Sequence, residues 1–267
     1  MYLRMVIFLL FSLLLCGCYA PQTSSRYSQR YDGPPTHFKD INSIPNASPH
    51  YLSRSLYGNP PYYTVNGKTY HVLATAEGYN KRGIASWYGS KFTGYLTSTH
   101  ERYDPYKMTA ASPVLPIPCF ARVTNLENGR TVIVKVNDRG PFAPNRIIDL
   151  SFAAASKLGY QHRGTAMVQV TTIDTQNPYS LPINTVNTKH PQLFLQVGVF
   201  HYENNADLLQ KRMRLLTNKS TLIYTSNTHH DSLYHVQIGP LRGVGEADKL
   251  HALLEKRGYG DAISVIR

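Results

Sequence analysis

Cysteine is nearly absent. Three occur in 267 residues, and two of them, Cys16 and Cys18, stand in the opening apolar stretch. Cys119 is alone in the body of the chain, so no intramolecular disulfide can staple it and packing must hold it together. The same count excludes a zinc site of cysteine type. The eleven histidines are scattered without an HExxH-like pair, and His229-His230 lies in a polar stretch that suits a solvated turn. Acids are scarce, 16 against 28 lysines and arginines, for a formal charge of +12. Basic chains seek nucleic acid, anionic membrane surfaces or anionic polymers. An RNP-type aromatic run is also lacking, which argues against nucleic acid. Long apolar runs are missing too, and Val6 to Leu15 is too short for a good membrane span.

That run, with Arg4 ahead of it, reads as a signal peptide over residues 1–17. Its close, Leu15-Cys16-Gly17-Cys18, resembles a bacterial lipobox, which implies cleavage before Cys18 and acylation of its thiol and new amine. The alternative is a secretory signal without lipid. Tyr19 stands where an aspartate would retain a lipoprotein in the inner membrane. This points to an outer-membrane anchor facing the periplasm, if the cell is Gram-negative. Loss of Arg4 leaves a charge of +11. Carboxylate-bearing murein is the natural anionic partner in that compartment, and nucleic acid is not expected there.

Residues 18–60, rich in Ser, Tyr, Pro, Asn and Gln, have no apolar period and read as a flexible tether. Asn66-Gly67 between two β-rich runs, Tyr63 to Val72, predicts a hairpin. Residues 61–175 then read as one domain of short strands: Ile84 to Tyr88, Cys119 to Thr124, Thr131 to Asn137, Ile147 to Leu150 and Thr165 to Ile173. One small helix, Ser151 to Leu158, has Ser151 as its N-cap and Gly159 as its stop. Short strands with one helix predict a compact β-barrel. Residues 176–191 form a polar linker. Residues 192–267 hold a repeat, since Leu195-Gln196-Val197-Gly198 returns as Val236-Gln237-Ile238-Gly239 with matching apolar positions behind each copy. Ala206, Leu209, Met213 and Leu216 share one helix face, as do Ala247, Leu250 and Leu254. Asn204 or Asn205 suits the first cap, and Gly258 the end of the second helix. Two such βαβ halves predict a ferredoxin-like sheet with helices on one face and the other face open.

Within the barrel region, TVIVKV (131–136) is a core strand, and Gly140-Pro141 stops it. Asp138 lies between, at the lip of the strand, well placed for proton chemistry. Ordinary turn capping or a pair with Arg139 would explain it as well. Trp87, the one tryptophan, could stack with Tyr88 on a sugar ring or lie in the core. Asp149, just before the Ser151 cap, suits pairing with Arg139 or Arg146.

Several segments together resemble the rare lipoprotein A (RlpA) family of murein lytic transglycosylases. They are Gly83-Ile-Ala-Ser-Trp-Tyr-Gly89, Phe92-x-Gly94-x-x-Thr97-x-x-x-Glu101-x-Tyr103-Asp104, Met108-Thr-Ala-Ala111, Leu115-Pro-Ile-Pro118, Arg122 to Arg130, Val136 to Phe142 and Arg146-Ile-Ile-Asp-Leu-Ser151. The resemblance covers about residues 60–175 and implies a six-stranded double-psi β-barrel. The C-terminal repeat resembles the SPOR domain, which implies binding to glycan strands stripped of stem peptides at division septa. The implied chemistry is cleavage between N-acetylmuramic acid and N-acetylglucosamine, leaving a 1,6-anhydro end, with no metal or other cofactor. Asp138 carries over as the catalytic aspartate and Glu101 as the functional glutamate, able to raise the Asp138 pKa or bind sugar. Trp87, Tyr88, Ser112 and Arg139 become candidate substrate contacts in the barrel, and Gln196, Phe200 and Gln237 in the sheet. The family's active members usually carry histidine after Thr-Ala-Ala, where this chain has Ser112. That departure leaves a second expectation open, a weakly active or inactive murein-binding lipoprotein.

Overall fold

The computed structural model describes residues 32–37, 39–175, 191–227 and 231–267. The leader, Cys18, His229-His230 and nearly all of the expected linker lie outside the described residues. No helix among the described residues is long and apolar enough to cross a membrane.

Two-residue alternation builds the barrel. In β6 (Thr131–Asp138) Val132, Val134 and Val136 are buried while Thr131, Ile133 and Lys135 face outward. Alternate residues of β3 (Asn80–Tyr88), β5 (Cys119–Asn125), β7 (Arg146–Ser151) and β8 (Ala166–Thr172) join them in one core through Ala85, Val123, Ile148, Leu150, Val168 and Val170. The sixth strand, β4 (Thr109–Ala111), is three residues long. The strands close in the order β3-β7-β4-β6-β5-β8. β3/β7 and β4/β6 are parallel and the other pairs antiparallel. This is a double-psi β-barrel. Helix α1 (Phe152–Leu158) starts where the Ser151 hydroxyl accepts from the Ala154 amide and ends at Gly159, φ 77°. Cys119 is a free thiol that burial pushes up to about 12, so it is inert as a nucleophile at neutral pH.

Ahead of the barrel, β1 (Tyr62–Val65) and β2 (Lys68–His71) form the expected hairpin, with Asn66 and Gly67 both at positive φ (50° and 77°). Tyr63 and Tyr70 stack on each other at 5.4 Å and meet Phe142 edge-on, which leans the hairpin on the loop after Asp138. The tether expected over 18–60 does not run free where it is described. Ile41, Ile44 and Ala47 pack on the barrel core. The Ala47 amide donates to Ile133 O (3.1 Å), and the Ile133 amide donates to Asn46 Oδ1 (3.3 Å). The cause is an open edge: β4 covers β6 only from Lys135 onward, so Ile133 has unpaired backbone groups that the strap satisfies.

The C-terminal repeat folds as β9 (Leu193–Phe200), α2 (Glu203–Thr217), β10 (Thr221–Asn227), β11 (Ser232–Leu241), α3 (Val244–Glu255) and β12 (Ile263–Ile266). The sheet order is β10-β11-β9-β12, antiparallel throughout, which is the ferredoxin-like arrangement. Leu195, Met213, Ile238, Ala247, Leu250 and Leu254 form its core. Tyr202 takes the N-cap position of α2, and Asn204 and Asn205 fall inside the first turn. Ile84, Leu126 and Met167 of the barrel join this apolar cluster. Arg146 of β7 grips Asp248 of α3 through two bonds of 3.0 and 2.7 Å.

Candidate active site

Strand register brings Asp138 to an outer face of the barrel, beside the loop that carries Glu101. Val136 pairs with Ala110, but the next partner of β4, Ala111, pairs with Asp138, so Asn137 is bulged out of the ladder. The bulge rotates Asp138 onto the face of Ala111 and away from the valine core. Its Oδ1 accepts three hydrogen bonds, from the Ser98 amide (2.8 Å), the Ser98 hydroxyl (2.7 Å) and the Arg139 amide (2.8 Å). None of the hydrogen bonds among the described residues ends on Oδ2. An oxygen receiving three donors has no room for its own proton, so Oδ2 is the atom that can exchange one with a substrate.

Ser98 is held by the loop that carries Glu101. The Glu101 carboxylate accepts from Lys135 Nζ (2.7 Å), Thr99 Oγ1 (3.1 Å) and Asn137 Nδ2 (3.1 Å), and the Thr99 amide donates to Asn137 O (3.2 Å). Partial burial pushes the Glu101 carboxyl up, but these bonds and the Lys135 charge outweigh it and hold the group below its ordinary value. Glu101 is therefore an ion-paired anion. Lys135 compensates the charge that was expected to raise Asp138, and the side chain instead ties the 97–101 loop to β6.

Arg139 and Ser112 are structural. The Arg139 guanidinium donates to Gly58 O (2.6 Å), Ser112 O (3.0 Å), Leu115 O and Asn59 Oδ1 (3.0 Å), and it lies over the Tyr63 ring. Among the described residues it pairs with no carboxylate, neither Asp138 nor Asp149, and it staples the strap to the turn after β4. Ser112 is 0 % exposed, which removes it from substrate contact. Its hydroxyl accepts from the Val114 and Leu115 amides, and its own amide donates to Asp138 O (3.0 Å). Trp87 packs edge-on to Phe152 and donates to Gln161 O (3.1 Å), a core role. Tyr88 is buried against Tyr103 at 4.3 Å. Its hydroxyl is buried facing that of Thr109, and burial raises its pKa well above the usual phenol value.

Asp149 also departs from expectation. Arg146 is engaged by Asp248 and Arg139 by backbone, so neither forms a pair with it. Its Oδ1 is buried without a hydrogen-bond partner. Burial, helped by the nearby Asp32 and Asp138 charges, pushes the carboxyl up to about 7 against the pull of Ser86 and Arg146.

In the C-terminal sheet, Gln196 and Gln237 are registered partners on the helix-free face, joined at 3.1 Å, but Gln237 is buried, which removes it from direct sugar contact as it does Ser112. Phe200 is on the other face. The ladder skips Val197, and this bulge turns Gly198 and Phe200 toward α2, where a side chain on Gly198 would strike Leu209 and the Phe200 ring. Sequence reasoning missed four residues of the open face. Ser226 Oγ meets His235 Nε2 (2.8 Å), His235 Nδ1 meets Gln196 Oε1 (3.0 Å), and Arg267 donates to Gln237 Oε1 (2.6 Å). The Arg267 guanidinium lies 3.9 Å from the Tyr224 ring centroid. Period-two alternation from Gln237 back to His235 was the available signal.

Comparison with known proteins follows the same division. The family model described as "Lytic transglycolase" matches residues 80–170, and the SPOR domain model matches residues 190–265. The chain is similar to the endolytic peptidoglycan transglycosylase RlpA of Vibrio cholerae, 37% identical over 259 residues, covering 97% of this chain and 95% of that protein. The protein of the same name from Pseudomonas aeruginosa is 36% identical, covering 88% of this chain and 86% of that one. Among solved structures, the RlpA SPOR domain of Pseudomonas aeruginosa is 25% identical with a TM-score of 0.26, covering 27% of this chain and 96% of that one.

Proposed function

Since this chain belongs to the RlpA family of endolytic peptidoglycan transglycosylases, we propose that it cleaves the bond between N-acetylmuramic acid and N-acetylglucosamine in glycan strands, leaving 1,6-anhydro ends. The observation that carries this reading is the Asp138 carboxylate, fixed through Oδ1 by three donors with Oδ2 left for a substrate. The minimal cycle needs one carboxyl group. It protonates the leaving oxygen as the glycosidic bond breaks, then takes the proton of the sugar's own 6-hydroxyl as that oxygen closes on the anomeric carbon. A hydrolase would need a second group to activate water. Here the nucleophile is part of the substrate, and proximity lowers the barrier. Glu101 positions the loop that brings Ser98 to Asp138.

The open SPOR face supports binding to strands freed of stem peptides, and hence enrichment at the septum. Its half-buried Gln196 and His235 and the Arg267–Tyr224 stack offer hydrogen bonds and an aromatic plane to sugar. The Leu15 to Cys18 motif supports lipidation at Cys18 and an outer-membrane anchor facing the periplasm. A second reading, murein binding without turnover, is favoured by Ser112, whose buried hydroxyl is committed to a turn and brings no titrating group. Mass spectrometry of glycans incubated with the wild type decides between them. Anhydro-ended products that vanish in Asp138→Asn are expected. Their absence from the wild type would reject the enzyme in favour of the binding protein. Retention on denuded sacculi that persists after deletion of residues 192–267 would reject the SPOR assignment.

A further inference from the structure

The sheet register puts a second acid in line with Asp138. Ala111 of β4 pairs with Asp138 on one side and with Asp149 of β7 on the other. Registered partners share a face. Two strand spacings, about 10 Å between backbones, separate the acids, with the Ala111 methyl between them in the ladder and the rings of Tyr88, Tyr103 and Phe92 packed on it. Carboxyl groups reaching toward each other over Ala111 come within the range of paired glycosidase acids.

Asp149 is no structural ion pair, because both nearby arginines are engaged elsewhere. Its Oδ1 is sealed and unpartnered, while the residue as a whole keeps an intermediate exposure. The Tyr88 hydroxyl on β3 and Thr109 Oγ1 on β4 are buried nearby, facing each other as a side-chain pair. Native interiors rarely leave a carboxyl oxygen without a partner, and the orphaned Asp149 Oδ1 marks a place that a ligand completes. The groups facing Asp149 are Ser86 and Tyr88 from β3, Tyr103 from the loop, Tyr160 after α1, Asp138 from β6, Arg146 from its own strand and Asp32 from the N-terminal segment. Burial among them leaves the carboxyl able to hold a proton near neutral pH.

We propose that Asp149 is a second catalytic group of the barrel, giving its proton to the glycosidic oxygen while Asp138 Oδ2 takes the proton of the sugar 6-hydroxyl. The bond from the anomeric carbon to the leaving oxygen breaks, and the bond to the 6-oxygen forms. One proton leaves Asp149 and one arrives on Asp138, and its return to Asp149 resets the site. This rests on the transglycosylase reading and replaces its one-carboxyl cycle with two.

The test uses the mature full-length protein with two substrates: peptide-free glycan, and a muramic-acid oligosaccharide bearing a 4-nitrophenyl leaving group. Asp149→Asn is expected to lose about 100-fold or more on the glycan and to regain most of that on the aryl substrate, which needs no proton. Asp138→Asn is expected to stay slow on both. The alkaline limb of the wild-type pH profile should be missing from Asp149→Asn, a change that a packing role would not produce. Unchanged glycan turnover and pH profile in Asp149→Asn would overturn the proposal, and so would equal loss on both substrates. If the wild type makes no anhydro product, the family reading fails on its own. Infrared difference titration of wild type against Asp149→Asn then decides the present point. A carboxyl protonated at pH 6 supports it, and one already ionised there overturns it.

Discussion

The barrel's outer face and the open face of the C-terminal sheet are both polar, yet they are satisfied in different ways. On the sheet the polar groups bond sideways to one another, from Ser226 through His235 and Gln196 to Gln237 and Arg267. Such a closed chain is rigid and suits recognition without reaction. On the barrel the arginine and serine beside Asp138 bond inward to backbone, and the groups left over are the carboxyl oxygens Asp138 Oδ2 and Asp149 Oδ1. Unsatisfied polar atoms in a folded protein destabilise it unless function retains them. The contrast separates a surface that holds glycan from one that cuts it.

Mutations should break this contrast in graded ways. Asp138→Asn should cut product formation by about 100-fold or more while leaving retention on denuded sacculi unchanged. Arg139→Met should leave the carbonyls of Gly58, Ser112 and Leu115 without their donor. The loss is about 3 kcal/mol or more in urea unfolding, a stability defect where a substrate contact would have shown a KM defect. Asp149 should give a pH signature. Its folded value, about 7, lies above the ordinary carboxylate value. Its contribution to stability is therefore complete below about pH 4 and is lost as pH rises through 7, roughly 4 kcal/mol across that window. Asp149→Asn should lack this decline in urea midpoints measured from pH 4 to 8. Ser112→His should overpack a sealed site, lowering stability by about 1–3 kcal/mol without a gain in turnover. Arg267→Ala should weaken sacculus binding about fivefold and leave cleavage of short glycans unchanged.

Much of the fold was legible because its signals are periodic. The alternation of TVIVKV, the Asn66-Gly67 turn, the Ser151 cap and the C-terminal repeat each state a local geometry that tertiary structure then keeps. β4 was legible only through the family motif, since Thr-Ala-Ala has neither length nor β-branched pattern. The strap from Ile41 to Asn59 was hidden because it is held by borrowed backbone bonds more than by apolar side chains. In the site, the position of Asp138 at the strand end was readable, but its orientation depends on the bulge at Asn137, which no local pattern announces. The same cause moved Phe200 off the open face. The partners of Arg139 and the isolation of Asp149 are long-range facts: Gly58 is 81 positions from Arg139, and Asp248, which engages Arg146, is 102 positions from that arginine.

The central claim is that the sugar's own hydroxyl, and not water, attacks under carboxylate control. Digestion of peptide-free glycan in heavy-oxygen water tests it most directly. Anhydro ends carrying no label are expected from the wild type, and none at all from Asp138→Asn. Reducing ends carrying the heavy oxygen would contradict it.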